Sequence, residues 1–310
     1  MKKNLPIISL LYLLTNINLS AQVYTFDFSI DDQGFVGGVA DFAVTQSEQH
    51  MFTFENRDLP SPFQPGVKAQ YMSGVNPSDD LFMYMKKKIT GLQPNSMYEV
   101  GITVEFASIY PTNGIGVGGP PGEGVTMKAG VTLIEPDTLI QPADDFVAMN
   151  IDKGNQSIPG VDMDTIGHVG VSDTTTVYTL KTNSNGAHPF HFMTNASGEG
   201  WLIVGTDSGF EATTSLYFTL ITAQFEFIEA TEAITIVNDL VIYPNPTYGN
   251  IQIQNNGLPI LSYLVWNAEG ELIQYAQWHD GDKSLTLPQG IYFISFKLEQ
   301  GVTLRKVIVQ

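Results

Sequence analysis

The chain has 310 residues, with 32 acidic against 14 basic side chains, a net charge of -18 and no cysteine. That length leaves room for two ordinary domains after a targeting segment. The charge works against nucleic acid and anionic lipid as partners, and the absence of cysteine excludes disulfides, a lipidated cysteine and the usual structural zinc sets.

Met1-Lys2-Lys3, the apolar run Leu5 to Leu19 and Ser20-Ala21 read as a secretory signal peptide, 1–21, too short and too interrupted by Asn16 and Asn18 for a transmembrane anchor. The next segment, 22–228, is expected to be a cargo domain. Its 43% hydrophobic background supports a core of ordinary size, held by burial or bound ions because no disulfide can help. Val23 to Phe28 alternates as a strand, Asp31-Asp32-Gln33-Gly34 turns it, and Val36 to Val39 runs into Asp41 to Val44. Leu81-Phe-Met-Tyr-Met85 is apolar without alternation, the pattern of a strand covered on both faces, and Lys86-Lys87-Lys88 is expected to cap it as a solvated end.

Leu92 should plug the end of a sandwich, with Pro94-Asn95 as the turn and the Tyr98 hydroxyl bonding back to the corner. Tyr98, Val100, Ile102, Val104 and Phe106 alternate with polar residues and glycine, and Val125 to Leu133 repeats the pattern. The acid-rich stretch from Glu135 to Asp173 is long for a loop and should hide one or two short strands. Val177 to Leu180, Phe190 to Met193, Trp201 to Val204 and Leu216 to Phe227 supply the rest. About eight strands without helical periodicity predict an all-β, jelly-roll-like β-sandwich. Residues 229–239 are the expected linker.

From 240 to 310 the pattern changes. Five acids and four bases nearly balance there, so the cargo carries almost all the charge. Tyr243-Pro244-Asn245-Pro246 closes a short strand, because neither proline can donate to a ladder, and Thr247-Tyr248-Gly249 turns the chain into Ile251 and Ile253. Further strands surround Ala268-Glu269-Gly270 and Gly290-Ile-Tyr292-Phe293, and Leu304 to Val309 closes a small immunoglobulin-like β-sandwich.

This tail resembles the type A C-terminal sorting domain of proteins exported by the type IX secretion system. The matching blocks are Tyr243-Pro-Asn-Pro-Thr-x-Gly249, Asn267-x-x-Gly270, Leu287-x-x-Gly290-Ile-Tyr292-Phe293 and Lys306-Val-Ile308. The resemblance implies the type IX machinery as a partner, passage across the outer membrane, removal of the tail, and a cargo that is secreted or attached to the cell surface. In the cargo, Phe26-Asp-Phe28 with Gly34-Phe35, and Gly205-Thr-Asp-Ser-Gly-Phe-Glu211, resemble the two ends of galactose-binding-like jelly rolls, which lie side by side in that fold. The segment also resembles uncharacterised secreted β-sandwich proteins that share blocks like Ser78-Asp-Asp-Leu-Phe-Met83, a likeness that brings no activity with it.

Nothing in the sequence nominates a catalyst. There is no Gly-x-Ser-x-Gly elbow and no His-Glu-x-x-His, and Pro120-Pro121 interrupts the glycine run 114–124 where a phosphate-binding loop would open a helix. His188 and His191 should point to opposite faces of one strand. Asp31, Asp32, Asp79, Asp80, Asp207 and Glu211 sit beside turns, where carboxylates and loop carbonyls could hold a structural Ca2+. Asp162-x-Asp164 starts like an EF-hand loop, but Ile166 occupies the next ligand position. The expected function is carbohydrate binding or adhesion outside the cell, with Phe35, Phe63, Tyr110 and Trp201 as candidate rings for an extracellular glycan. The alternatives are a hydrolase of extracellular polysaccharide, marked by two carboxylates converging in a cleft, or a purely structural surface component.

Overall fold

The computed structural model describes residues 21–78, 80–143, 145–186, 188–228, 240–255, 259–268, 272–278, 284–298 and 301–310. All but the last residue of the signal segment, the linker 229–239, Asp79 and Gly270 lie outside them. Among the described residues no helix is long and apolar enough to cross a membrane.

The cargo strands are β1 (Gln22–Asp27), β2 (Val36–Ala40), β3 (Phe42–Ala43), β4 (Thr53–Asp58), β5 (Lys68–Val75), β6 (Leu81–Ile89), β7 (Met97–Ser108) and β8 (Val125–Thr132). They continue with β9 (Thr138–Gln141), β10 (Phe146–Met149), β11 (Asp164–His168), β12 (Thr179–Ser184), β13 (Phe190–Met193), β14 (Gly200–Ser208) and β15 (Thr213–Phe227). Two antiparallel sheets face each other. The first runs β12-β7-β15-β5-β4, with β13 continuing beside β7 and β1 beside β15; the second runs β11-β8-β14-β6-β2. The pairing of β1 with β15, Gln22 opposite Phe225, brings the two ends of the cargo together, whereas Gly205 to Ser208 lie on β14 in the second sheet.

Long strands β7 and β15 form the spine of the first sheet because inward residues alternate throughout β7 and on either side of one irregularity in β15. Val100, Ile102, Val104 and Phe106 are fully buried against Phe218, Ile221, Ala223 and Phe225. Register slips at Thr219, where β15 changes outer partner from β5 to β1; its hydroxyl fills the irregularity by donating to the Glu105 carboxylate at 2.6 Å. The expected corner is present, with Leu92 buried and the Tyr98 hydroxyl accepting from the Gln93 amide at 2.9 Å.

The second sheet is covered on both sides. Leu81, Met83 and Met85 of β6 enter the main core, while Phe82 and Tyr84 enter a separate cluster with Ala40, Met149, Ile151, Met163 and Ile203. The cover on that outer face comes from the acid-rich stretch, whose β10 pairs with β3 on one side and β9 on the other in a small three-stranded sheet. The stretch thus holds three short strands, β9 to β11, and the cargo has more strands than the sequence suggests. Lys86 to Lys88 correct a second expectation: β6 runs through them to Ile89, and Lys86 is buried with its Nζ donating to the Pro136 carbonyl at 2.7 Å and pairing with Glu135. Long stems lie along apolar surface while their ammonium heads find oxygen.

The tail contains β16 (Leu240–Tyr243), β17 (Asn250–Asn255), β18 (Ile260–Asn267), β19 (Leu272–Gln277), β20 (Ser284–Thr286), β21 (Gly290–Leu298) and β22 (Gly301–Val309), in sheets β16-β17-β20 and β19-β18-β21-β22. Among the described residues its core, around Ile251, Val265, Ile294, Phe296 and Val307, shares no buried cluster with the cargo. Separate cores predict separate unfolding. In calorimetry of the full chain, Phe218→Ala should destabilise the cargo transition by about 3–5 kcal/mol and leave the tail transition in place, with Ile294→Ala doing the reverse by about 2–5 kcal/mol. A single transition moved equally by both variants would contradict this.

Candidate functional site

Lys128 of β8 and Asp207 of β14 stand on the outer face of the second sheet, on neighbouring strands, beneath the chain that follows β10. Both side chains are completely buried, and Lys128 Nζ lies 3.0 Å from Asp207 Oδ2. Lys153 comes down from the covering chain, its Nζ 2.7 Å from the same oxygen and 2.5 Å from Asp41 Oδ2. Asp41 reaches that position from a left-handed backbone conformation (φ 65), which few non-glycine residues adopt but aspartate tolerates. The cover is stitched by its own acids: Asp152 accepts from the Gly154 and Val161 amides, and Asp162 accepts from the Asp152 amide.

Asp80 completes the group. The carboxyl groups of Asp41, Asp80 and Asp207 each offer an oxygen within 4.8 Å of the others. Asp80 and Asp207 each keep one buried Oδ1 without a protein donor, and the two carboxyls are within hydrogen-bonding reach of each other. Facing carboxylates need a proton between them. Burial, then the Asp207 charge, raises Asp80 to about 8, so the proton is held at neutral pH. Burial also pushes Asp207 upward, but Lys153 and Lys128 outweigh it and hold that carboxyl below its ordinary value. Burial lowers the Lys128 ammonium, whereas Asp207 and Asp41 overcome burial at Lys153 and raise it.

Three carboxyls and two ammonium groups leave one negative charge, and the shared proton brings the cluster to neutrality. A calcium ion would add two positive charges to oxygens that ammonium groups already hold. Among the sequence candidates within the described residues, then, only Asp80 and Asp207 come together, joined by Asp41. Asp31 and Asp32 are exposed and cap their own turn, accepting from the Gln33 and Gly34 amides. Glu211 lies where the glycine-rich loop packs on the chain between β14 and β15: its amide donates to the Val117 carbonyl, and a side chain on Gly118 (φ 74) would meet the Gly209 carbonyl at 2.0 Å. Sequence reasoning missed Asp41, Lys128 and Lys153.

A second feature lies between cargo and tail, a cleft of about 680 Å³ lined by Leu133, Ile134, His188, Phe190, Tyr275 and Trp278 among others. At its edge Lys297 of β21 donates to Glu99 Oε1 at 2.8 Å and to His191 Nε2 at 2.7 Å. The expected rings are elsewhere. Phe35 is in the core, Phe63 packs with the cluster around Leu59 and Tyr217, the Tyr110 hydroxyl is held by Thr213 and Ser215, and Trp201 lies under Lys86.

In the tail, the Asn245 side chain donates to the Lys306 carbonyl at 2.6 Å and accepts from the Ile308 amide at 3.0 Å. Thr247 exchanges backbone bonds with Ile308 and Gln310, so the first and last motif blocks form one unit. Tyr243, Pro244, Pro246 and Lys306 are exposed on it, Gly249 takes a positive φ of 116, Gly290 opens β21 and Tyr292 is buried in the core.

Residues 241–310 match the family model of the secretion system C-terminal sorting domain. The tail is a type IX sorting domain, and it marks the chain for export to the cell surface or beyond. No curated protein matches the chain. Solved structures that resemble it include the enzymatically active domain of bacteriophage CBA120 tailspike protein 4 (8% identity, TM-score 0.30, covering 65% of this chain and 20% of that one). Another is a carbohydrate-binding module of the β-sandwich superfamily (10%, 0.30, 63% and 57%). A third is a mannan-recognising carbohydrate-binding module (10%, 0.31, 66% and 98%). This chain therefore spans a fifth of the tailspike domain and just over half of the first module. Likeness this remote says nothing of ligand or activity.

Three outcomes are expected from the ionic cluster and the seam. Lys153→Met strips Asp41 and Asp207 of a shared buried ammonium and should cost about 3–5 kcal/mol in urea unfolding, whereas melting temperature should be the same in excess calcium and excess chelator. Burial first, then Lys297, holds His191 below its ordinary value of 6.5, so it is neutral when docked. Its contribution to docking is present above that value and lost as pH falls below it. The radius of gyration from solution scattering should rise between pH 7.5 and pH ~5, and His191→Gln should remove the dependence.

Proposed function

We propose that the chain is an exported adhesion protein whose cargo binds a neutral extracellular glycan. The observation that carries this reading is the 680 Å³ cleft, whose wall combines the rings of Phe190, Tyr275 and Trp278 and the partly exposed Leu133 and Ile134 with polar groups that include Glu99, Asp162, Asp164, His188, His191 and Lys297. Rings stack on sugar faces while sparse polar groups fix orientation, and sites of this size commonly lie between domains. Phe190, His188, His191, Leu133 and Ile134 belong to the cargo and stay with it when the sorting tail is removed.

Hydrolysis is the weaker reading. Glycosidase carboxyls stand about 5–5.5 Å or about 6.5–9.5 Å apart across an open cleft. Here the converging acids have oxygens within 4.8 Å of one another, and Asp207 is sealed from solvent beneath two lysines. A glycan array probed with the full chain should give binding to neutral oligosaccharides. Phe190→Ala should weaken that binding at least about tenfold, the cost of losing an anchor ring. Silence across the array, or full binding by the variant, would overturn the proposal.

A further inference from the structure

We propose that Lys128 and Asp207 are the reactants of an intramolecular condensation, which joins β8 to β14 through an amide bond between their side chains. The cluster has the parts this chemistry needs. Lys128 Nζ lies 3.0 Å from Oδ2 of the carboxyl whose carbon it would attack, and both side chains are completely removed from water. Reactants held so closely behave as if at effective concentrations of about 10⁵–10⁸ M. Burial also favours the product, because one neutral amide replaces two buried charges.

The surroundings of Lys128 suit an amine. Its Nζ has two further partners, the Lys153 carbonyl at 2.7 Å and the Ile158 carbonyl at 2.9 Å. Two N–H groups can donate to these carbonyls, which leaves the lone pair directed at the third neighbour, the Asp207 carboxyl. Burial acts in the same sense by lowering the affinity of Lys128 for its third proton. Lys153 differs: it is held charged between two carboxylates and serves as the cation beside Oδ2.

The balance closes without an outside reagent. Lys128 first passes a proton to the Asp207–Asp80 pair, giving an amine and a carboxylic acid. The nitrogen lone pair then forms the bond to Cγ, and the carbonyl electron pair moves onto Oδ2, beside the Lys153 ammonium at 2.7 Å. Asp80 takes a proton from the nitrogen and returns one to Oδ1, the oxygen that has no other donor. The C–O bond breaks, Oδ1 leaves as water, and the pair on Oδ2 re-forms the carbonyl. One ammonium and one carboxylate become one amide and one water, and Asp80 and Lys153 finish as they began. A cavity bordered by Asp41, Asp80 and Lys153 gives the water an exit. Asp80 is the proton-relaying group in this step, a role that needs no metal.

Such a bond would supply the covalent cross-link that a cysteine-free exported chain cannot obtain from disulfides. Mass spectrometry of the full chain tests it. The intact mass should be lower by one water than its peptide map defines. Trypsin should fail to cut after Lys128, and a branched peptide should join the Lys128 and Asp207 segments. Full mass with normal cleavage after Lys128 overturns the proposal. So does loss of water without a branch, since a cyclised aspartate would also give that, and so does a branch at Lys153. Asp80→Asn should restore full mass and cleavage; a variant still joined removes Asp80 from the reaction. Should that variant fail to fold, wild-type chain denatured before any folding should carry full mass and lose one water on refolding, and a chain already lighter when never folded counts against the mechanism.

Discussion

The second cargo sheet is covered by the first sheet on one face and by the β3, β9 and β10 layer with the chain that follows it on the other, so polar groups beneath that cover must be satisfied without bulk water. That constraint organises much of the cargo. An ordinary two-layer sandwich lets outward residues be polar at no cost. Here the outward positions of β6 and β14 carry Phe82, Tyr84 and Ile203, and the charged exceptions at Lys128 and Asp207 have to find each other. Asp41, Asp80 and Lys153 reach the same place from three different loops or strand ends, and their charges sum to neutrality only when one proton is counted. The aromatic face of Phe82, 4.9 Å from the Lys153 ammonium, joins the ionic cluster to the apolar one beside it.

How much of this could be read beforehand depends on the range of the interaction. The sandwich was legible because its signals are local. Alternation over Tyr98 to Phe106 and an unbroken apolar run over Leu81 to Met85 each specify how many faces of a strand are buried. The corner at Leu92 to Tyr98 is seven residues long and therefore visible. Lys86 to Lys88 misled because a charge run at the end of a strand normally meets water, and only the distant Pro136 and Glu135 make it otherwise. The ionic cluster was half legible. Asp80 and Asp207 stood out as turn acids, but Lys128 looked like the solvent-facing member of an alternating strand. Nothing near it in sequence reveals that residues some 25 to 30 positions later fold back as a roof. The one available signal was the length of the acid-rich stretch, too long to be a loop with nothing beneath it.

The tail shows how a motif can be scattered in sequence and single in space. Its first and last blocks are more than sixty residues apart, yet Asn245 places an amide donor and acceptor against the backbone of β22 as another strand would. Prolines on both sides of Asn245 keep the neighbouring backbone from competing for those partners. The exposed Tyr243, Pro244 and Pro246 are then displayed on a surface that exists only once the end of the chain is folded.

The seam between the parts has a different character from either core. Lys297, Glu99 and His191 make a small, partly exposed polar contact, and beside it cargo and tail leave a wide cleft instead of packing tightly. Interfaces of this kind gain little from water exclusion, since their charged groups keep much of their hydration and are screened by salt. Parting Lys297 from Glu99 and His191 would return three hydratable groups to solvent, so the seam carries little of the water exclusion that holds either core. The seam thus differs from the cargo's own ionic cluster, where Lys128 and Asp207 are completely buried beneath the roof and only the Asp41, Asp80 and Lys153 side borders a cavity.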